Sequence, residues 1–190
     1  SNITISGKLT VSPSDGTFNY GIYTGSGSTI TLDAATLSIQ SGFDCGIYNN
    51  NGNVVIKNSP DVTLNSDKSS RYGIWTNYGG DLTIENSTIN GTKLGVAVKG
   101  GTVNISGDET KISATANAKE PTNYYGGGKG AIEAEGYALY VEGGYSYDIT
   151  LNISGGTFES KGDAIKKFVK DGDTQATRTI AVSGGTFSSA

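Results

Sequence analysis

The feature that most constrains the fold is an internal repeat of about 25 residues, a period typical of solenoid proteins. Its clearest copy spans residues 72–94 and holds three short apolar segments, around Ile74, Leu82 and Ile89. Each segment is too short for a helix and alternates apolar with polar residues, which is typical of a β-strand. Gly, Asn or Ser separates the segments, so the unit predicts one coil of three strands.

The first segment of the repeat occurs in six copies that align on a central apolar residue. These residues are Ile22, Ile47, Ile74, Val96, Leu139 and Ile165. Successive members lie 25, 27, 22, 43 and 26 residues apart. The one long interval predicts an insertion of roughly 18 residues in a single coil. We place it at 114–136, where Pro121 and the three glycines at 126–128 favour a loop that leaves the solenoid.

The second segment occurs in seven copies, each with two apolar residues on one face of a strand. The position two residues after each pair is occupied by Gly7, Ala34, Asn58, Asn86, Gly107, Gly155 and Gly184. Gly and Asn adopt a left-handed backbone at low cost, so a sharp bend is expected at this place in every coil, with Ala34 as the exception.

Together these patterns predict an all-β fold: a right-handed, single-stranded parallel β-helix with three sheets, six to seven coils and one loop insertion. A leucine-rich repeat is the competing solenoid, but its asparagine-bearing, leucine-rich consensus is absent. We expect residues 1–190 to form a single β-helix domain. The chain has no methionine, and we interpret it as a piece of a longer protein.

Charge and hydropathy exclude several classes of partner. The net charge of −4 argues against nucleic acid, because phosphate binding needs a basic face. No apolar run is long enough for membrane insertion as a helix. We expect a monomer without cofactors. Cys45 has no second cysteine to pair with, and we expect it to be buried.

The strings YGIYTGSGSTITL, CGIYNNNGNVVIKNSPDVTL and YGIWTNYGGDLTIENSTINGT resemble the parallel β-helix repeat of the pectin-lyase-like superfamily. LNISGGTFESKGDAI and IAVSGGTFSSA are similar to repeats of bacterial secreted and surface β-helix proteins, some of them linked to carbohydrate binding. The resemblance implies a secreted or cell-surface bacterial protein, adhesin-like or carbohydrate-binding. It does not separate enzymes from binding proteins, because the same coils serve both.

An enzyme is the first alternative. The resemblance implies either a Ca²⁺-binding aspartate cluster with a basic catalytic residue, or paired aspartates with a histidine. The chain has no histidine, no Asp-Asp pair and only two arginines, Arg71 and Arg178. We therefore predict no catalytic residue and no metal site, and keep a polysaccharide lyase or glycoside hydrolase acting on an acidic polysaccharide as the alternative.

A binding function is favoured by aromatic residues next to the central apolar positions. Tyr23, Tyr48, Trp75 and Tyr140 each follow an inward residue, so they are expected to point outward in one row. Gly21, Gly46 and Gly73 would lie beside them and leave a groove, whereas Tyr20, Cys45, Tyr72, Leu94 and Tyr137 would point inward. Exposed aromatic rows often mark binding surfaces.

These four rings, with Tyr124 and Tyr125 of the insertion, form the predicted binding site for a polysaccharide or cell-surface glycan. Loops on a rigid scaffold often carry function, which is why the insertion is included. Two alternatives stay open: stacked rings also stabilise a parallel sheet without any ligand, and the whole domain would then be a passive structural stalk.

Overall fold

A computed structural model describes residues 1–13, 20–64, 72–122, 134–143, 146–169, 173–174 and 176–189. In these ranges the chain forms sixteen β-strands and no helix. Accordingly, the described part of the chain offers no long apolar helix of the kind that crosses a membrane.

The strands stack in three ladders, each built from equivalent strands of successive coils. Ladder 1 contains β2 (Tyr20–Gly25), β4 (Cys45–Asn50), β7 (Tyr72–Asn77), β10 (Leu94–Val98), β13 (Tyr137–Glu142) and β15 (Ile165–Phe168). Ladder 2 contains β1 (Asn2–Val11), β3 (Thr29–Ile39), β5 (Asn53–Lys57), β8 (Asp81–Glu85), β11 (Gly101–Ser106), β14 (Ile149–Ser160) and β16 (Arg178–Ser189). Ladder 3 contains β6 (Asp61–Leu64), β9 (Thr88–Gly91) and β12 (Lys111–Ala114), together with the second halves of β1, β3, β14 and β16.

Every described pairing between strands is parallel, and each joins a strand to its equivalent in a neighbouring coil. The predicted parallel β-helix is therefore confirmed. It has about six coils, counted from β2 to β16, with β1 as an additional partial coil. Ladders 2 and 3 belong to one ten-stranded sheet, because β1, β3, β14 and β16 run through the corner between them.

The corner between ladders 2 and 3 uses a left-handed residue in each coil. In five coils it is the predicted residue, with φ of 83° at Gly7, 51° at Ala34, 51° at Asn58, 44° at Asn86 and 88° at Gly107. Ala34 thus adopts the bend despite its Cβ, at a cost of about 1 kcal/mol. In the last two coils the bend lies one residue later than predicted, at Gly156 (φ 98°) and Gly185 (φ 113°), since a Gly-Gly pair permits it at either position.

The axial core runs between the three ladders and is made almost entirely of Ile, Leu and Val side chains. It includes four of the six central residues of the first segment, namely Ile47, Ile74, Val96 and Leu139, and the partly buried Ile22 and Ile165 pack against it. The first and last coils bury less: Ile3 is 54% exposed and Val182 is 50% exposed. A second apolar cluster lies outside this axis, on the outer face of ladder 1.

Candidate binding site

The outer face of ladder 1 carries three columns of side chains, each with one residue per coil. The tyrosine column is Tyr20, Cys45, Tyr72, Leu94 and Tyr137. The ring column is Tyr23, Tyr48, Trp75, Ala97, Tyr140 and Lys166. The polar column is Asn50, Asn77, Lys99 and Glu142, two residues after the corresponding members of the ring column. The parallel register therefore brings residues more than a hundred positions apart onto one surface.

The glycines of ladder 1 face the axial core, which corrects the prediction that they line an outer groove. A side chain at Gly46 would meet the backbone oxygen of Gly73 at 2.8 Å and the side chain of Leu64 at 2.9 Å. In β13 the equivalent position holds Ala138, and this residue is part of the axial core. Only a residue with a very small side chain fits where the sheet approaches the core so closely.

The tyrosine column was predicted to point inward, and this prediction is wrong. Gly73 and Ile74 both face the core, so strict alternation is broken and Tyr72 lies on the same side as Trp75. The two rings meet edge to face with centroids 5.0 Å apart. Cys45, Leu94 and Tyr137 occupy the same second cluster, and Tyr20 packs against it.

The ring column points outward as predicted, but it is mostly covered. Tyr23 is 52% exposed, whereas Tyr48 is 8%, Trp75 3% and Tyr140 0% exposed. The expectation of an open row of rings is therefore wrong for three of the four. The accessible end of the column lies at Tyr23, in the first coil.

The rings nearest that end form a continuous stack. Tyr20 stacks on Tyr48 with centroids 4.6 Å apart, and Tyr48 contacts Trp75 at 4.7 Å. Tyr23 lies 5.7 Å from Tyr48 and 6.0 Å from Tyr20. Such pairs contribute about 0.5–1.5 kcal/mol each beyond the burial of area. The half-exposed ring thus rests on a buried aromatic support and has little freedom to move.

Hydrogen bonds connect the ring column to the polar column. The Nδ2 of Asn77 donates to the hydroxyl of Tyr48 at 3.0 Å. The Tyr48 hydroxyl donates to Oδ1 of Asn50 at 3.3 Å, and the Nδ2 of Asn50 donates to the hydroxyl of Tyr23 at 2.9 Å. This amide–tyrosine chain begins at the buried Asn77 and ends at the exposed Tyr23.

Further along the polar column lies a fully buried ion pair. The Nζ of Lys99 is 2.6 Å from Oε1 of Glu142, and both side chains are inaccessible. The Tyr140 hydroxyl donates to Oε2 of the same carboxylate at 2.6 Å. Burial lowers the pKa of Lys99, and the adjacent Glu142 carboxylate opposes this change. The pair is held out of water, so removal of either partner would leave an uncompensated buried charge.

The predicted insertion lies between β12 and β13, and its two ends are fixed to each other and to the solenoid. Lys119 and Glu135 form an antiparallel bridge, and Glu135 also pairs with Lys93 of the preceding coil. Ala134 packs in the second cluster with the rings. Tyr124 and Tyr125, both predicted to bind ligand, lie outside the described residues.

Glu120 joins the insertion to the last coil. Its carboxylate is 2.6 Å from Nζ of Lys166 and accepts a hydrogen bond from the Tyr137 hydroxyl at 2.9 Å. The hydrogen bond from Lys166 is the main reason that the pKa of Glu120 is lowered, and the same contact raises the pKa of Lys166. Burial raises the pKa of Tyr137, and Glu120 adds to the effect.

One exposed aromatic pair was missed in the sequence. Tyr78 and Tyr147 meet edge to face with centroids 5.2 Å apart, and Tyr147 is 44% exposed. Tyr78 has a positive φ of 56°, in the turn after β7. The repeat pattern gave no signal for the pair, because both residues lie in connections of unequal length.

The acidic residues of the described ranges do not assemble into a metal site. No group of three His, Cys, Asp or Glu residues in these ranges has the geometry to hold a metal ion. Asp163 lies 3.6 Å from Nζ of Lys166, and Asp173 pairs with Arg178 at 2.8 Å. Cys45 is buried as predicted, and burial raises the pKa of its thiol well above the usual value, which disfavours the nucleophilic thiolate.

No family model matches the chain, and neither the curated proteins nor the solved structures contain a match. The β-helix architecture that the repeat strings implied is present in the structure. Membership of the pectin-lyase-like superfamily and a relation to adhesins find no support among these comparisons.

Proposed function

We propose that this β-solenoid is a non-catalytic binding module of a secreted or cell-surface bacterial protein, with a glycan or polysaccharide surface as its ligand. The observation that supports the proposal is the exposed ring of Tyr23, carried on the partly buried Tyr20 and the buried Tyr48, which stack on each other. A sugar ring offers an apolar C–H face to an aromatic ring and hydroxyl groups to neighbouring amides. Asn50 supplies such an amide beside Tyr23.

The rigidity of this arrangement supports binding. Ordering a flexible side chain at an interface costs about 0.5–1.5 kcal/mol. Tyr23 avoids most of that cost, because two ring contacts and one hydrogen bond hold it in place before any ligand arrives. A parallel β-helix also presents its outer faces as flat, rigid surfaces, which suits an extended polymer.

A glycan array probed with the labelled chain tests the proposal. Tyr23→Ala is expected to abolish binding, since it removes the exposed ring. Tyr147→Ala is the matched control, because it removes a tyrosine of similar exposure (44%) outside the ring column and is expected to leave binding unchanged. Binding that survives Tyr23→Ala would refute the site, and release of reducing ends from a polysaccharide would instead favour the enzyme alternative.

A passive structural stalk is the second candidate, and one observation favours it. Trp75 and Tyr140 are buried, so most of the ring column serves packing rather than recognition. If the domain is a stalk, the wild-type chain is expected to bind no glycan of the array above background. Tyr23→Ala would then give the same array signal as the wild type.

A further inference from the structure

The amide–tyrosine chain has a consistent direction. Each member donates to the next, from Asn77 through Tyr48 and Asn50 to Tyr23. Because the Tyr23 oxygen accepts from Asn50, its own proton is available to a further acceptor. Among the described residues the Tyr23 hydroxyl makes no other hydrogen bond. Within the described part of the chain, its O–H is therefore left to donate to a ligand.

Asn77 sets this direction from inside the protein. Its side chain is 2% exposed, and its Nδ2 is bonded to Tyr48 while its Oδ1 has no hydrogen-bond partner in the described part of the chain. Asn77 donates to the Tyr48 hydroxyl, and that hydroxyl in turn donates to Oδ1 of Asn50 at 3.3 Å. Hydrogen bonds in such chains polarise one another, which strengthens the outermost donor. Asn50 and Asn77 are thus positioning residues for Tyr23.

The described side chains that contact this donor's ring or hydroxyl are uncharged. The described residues that contact Tyr23 through rings or hydrogen bonds are Tyr20, Tyr48 and Asn50, and none carries a charge at neutral pH. The net charge of the chain is −4, which repels polyanions over the Debye length. A carboxylate bound here would lose part of its hydration, and none of these described contacts of Tyr23 would supply a cation to offset the loss.

From these observations we propose, resting on the glycan-binding function above, that Tyr23 binds an uncharged sugar unit rather than a uronate. The sugar stacks its C–H face on the Tyr23 ring, and one of its hydroxyl oxygens accepts the Tyr23 proton. Asn50 and Asn77 fix the direction of that proton. The ligand class is therefore neutral glycans such as glucans, mannans or xylans.

The experiment measures affinity by calorimetry for two sets of hexamers. The neutral set is cellohexaose, laminarihexaose, mannohexaose and xylohexaose; the anionic set is hexagalacturonate and hexamannuronate. We expect one or more neutral hexamers to bind and both anionic hexamers to bind at least tenfold more weakly. A tenfold difference in affinity corresponds to a free energy of about the size of one net hydrogen bond.

Variants then test the direction of the chain. Tyr23→Phe keeps the ring but removes the donor, and we expect a loss of about tenfold in affinity. In Asn50→Asp, the carboxylate offers only acceptors to Tyr48 and Tyr23. The Tyr23 hydroxyl then donates to this carboxylate instead of the ligand, and a similar loss of affinity is expected. In the Tyr23→Phe background Asn50→Asp is expected to cost nothing further, because the donor is already absent. A merely structural role for Asn50 would give additive losses. Far-UV circular dichroism verifies that each variant is folded.

The outcomes separate this inference from the proposed function. Stronger binding of the anionic hexamers that still depends on Tyr23 would overturn the neutral-sugar assignment and leave the binding function intact. Unchanged affinity in Tyr23→Phe, or additive losses in the double variant, would overturn the directed donor. Absence of binding to any glycan would overturn both.

Discussion

Replacing Trp75 with alanine distinguishes a buried ring column from an open one by its effect on stability. Trp75 is 3% exposed and contacts the rings of Tyr48 at 4.7 Å and Tyr72 at 5.0 Å. Truncating a buried Trp to Ala costs about 3–5 kcal/mol, which includes the lost ring contacts and the cavity left behind. Because a domain of this size is stable by only about 5–15 kcal/mol, the variant is expected to lose a large part of its stability.

The measurement is urea unfolding followed by far-UV circular dichroism at 25 °C. Trp75 is the only tryptophan of the chain, so tryptophan fluorescence cannot follow unfolding of the variant. In the wild type, that single indole is expected to emit at short wavelength and to resist quenching by acrylamide, as a buried ring does.

The control is Tyr147→Ala, which removes a ring that is 44% exposed and makes one ring contact, with Tyr78. Substitutions at such accessible positions usually change stability by about 1 kcal/mol or less. A loss below about 1 kcal/mol in Trp75→Ala, equal to that in the control, would refute the burial of the ring column and the correction drawn from it.

Three further predictions concern stability. Glu142→Ala leaves the Lys99 ammonium buried without its carboxylate, so the free energy of unfolding is expected to fall by about 3–5 kcal/mol, and the double replacement Lys99→Met, Glu142→Leu is expected to recover most of it. Gly46→Ala forces a side chain against the core and is expected to cost about 1–3 kcal/mol in urea unfolding. Since Lys166 lowers the pKa of Glu120 from 4.5, Glu120→Gln is expected to lower the melting temperature at neutral pH, and the difference is expected to vanish as the pH falls through the lowered pKa.

Each of these predictions has an opposing result. Equal stability of the single Glu142 variant and the double variant would show that the pair is not buried as an ion pair. An unchanged free energy of unfolding in Gly46→Ala would show that this glycine lies away from the core. Ala138→Gly serves as the control and is expected to cost about 1 kcal/mol or less. A melting-temperature difference for Glu120→Gln that persists below the lowered pKa would assign the effect to packing.

The outer face of ladder 1, where we propose the glycan site, was only partly predictable from the alternation of residues. Alternation next to Ile47 and Ile74 correctly predicted that Tyr48 and Trp75 point outward. It failed for Cys45 and Tyr72, because two consecutive core-facing residues break the period of two. The signal for that break is the glycine before each central residue, which indicates close packing as readily as an open groove.

The sequence by itself determined the coil. Regularly spaced Ile, Leu and Val residues specify which positions turn toward an axis, and Gly or Asn at the corner permits the left-handed bend that closes each turn. Such signals are local, since they depend on period and backbone freedom within some ten residues. The tertiary structure alone decided which outward side chains remain accessible. Whether a ring is buried depends on residues distant in sequence, such as Ala134, which packs in the same cluster as Trp75. The direction of the amide–tyrosine chain depends on three coils stacked in register.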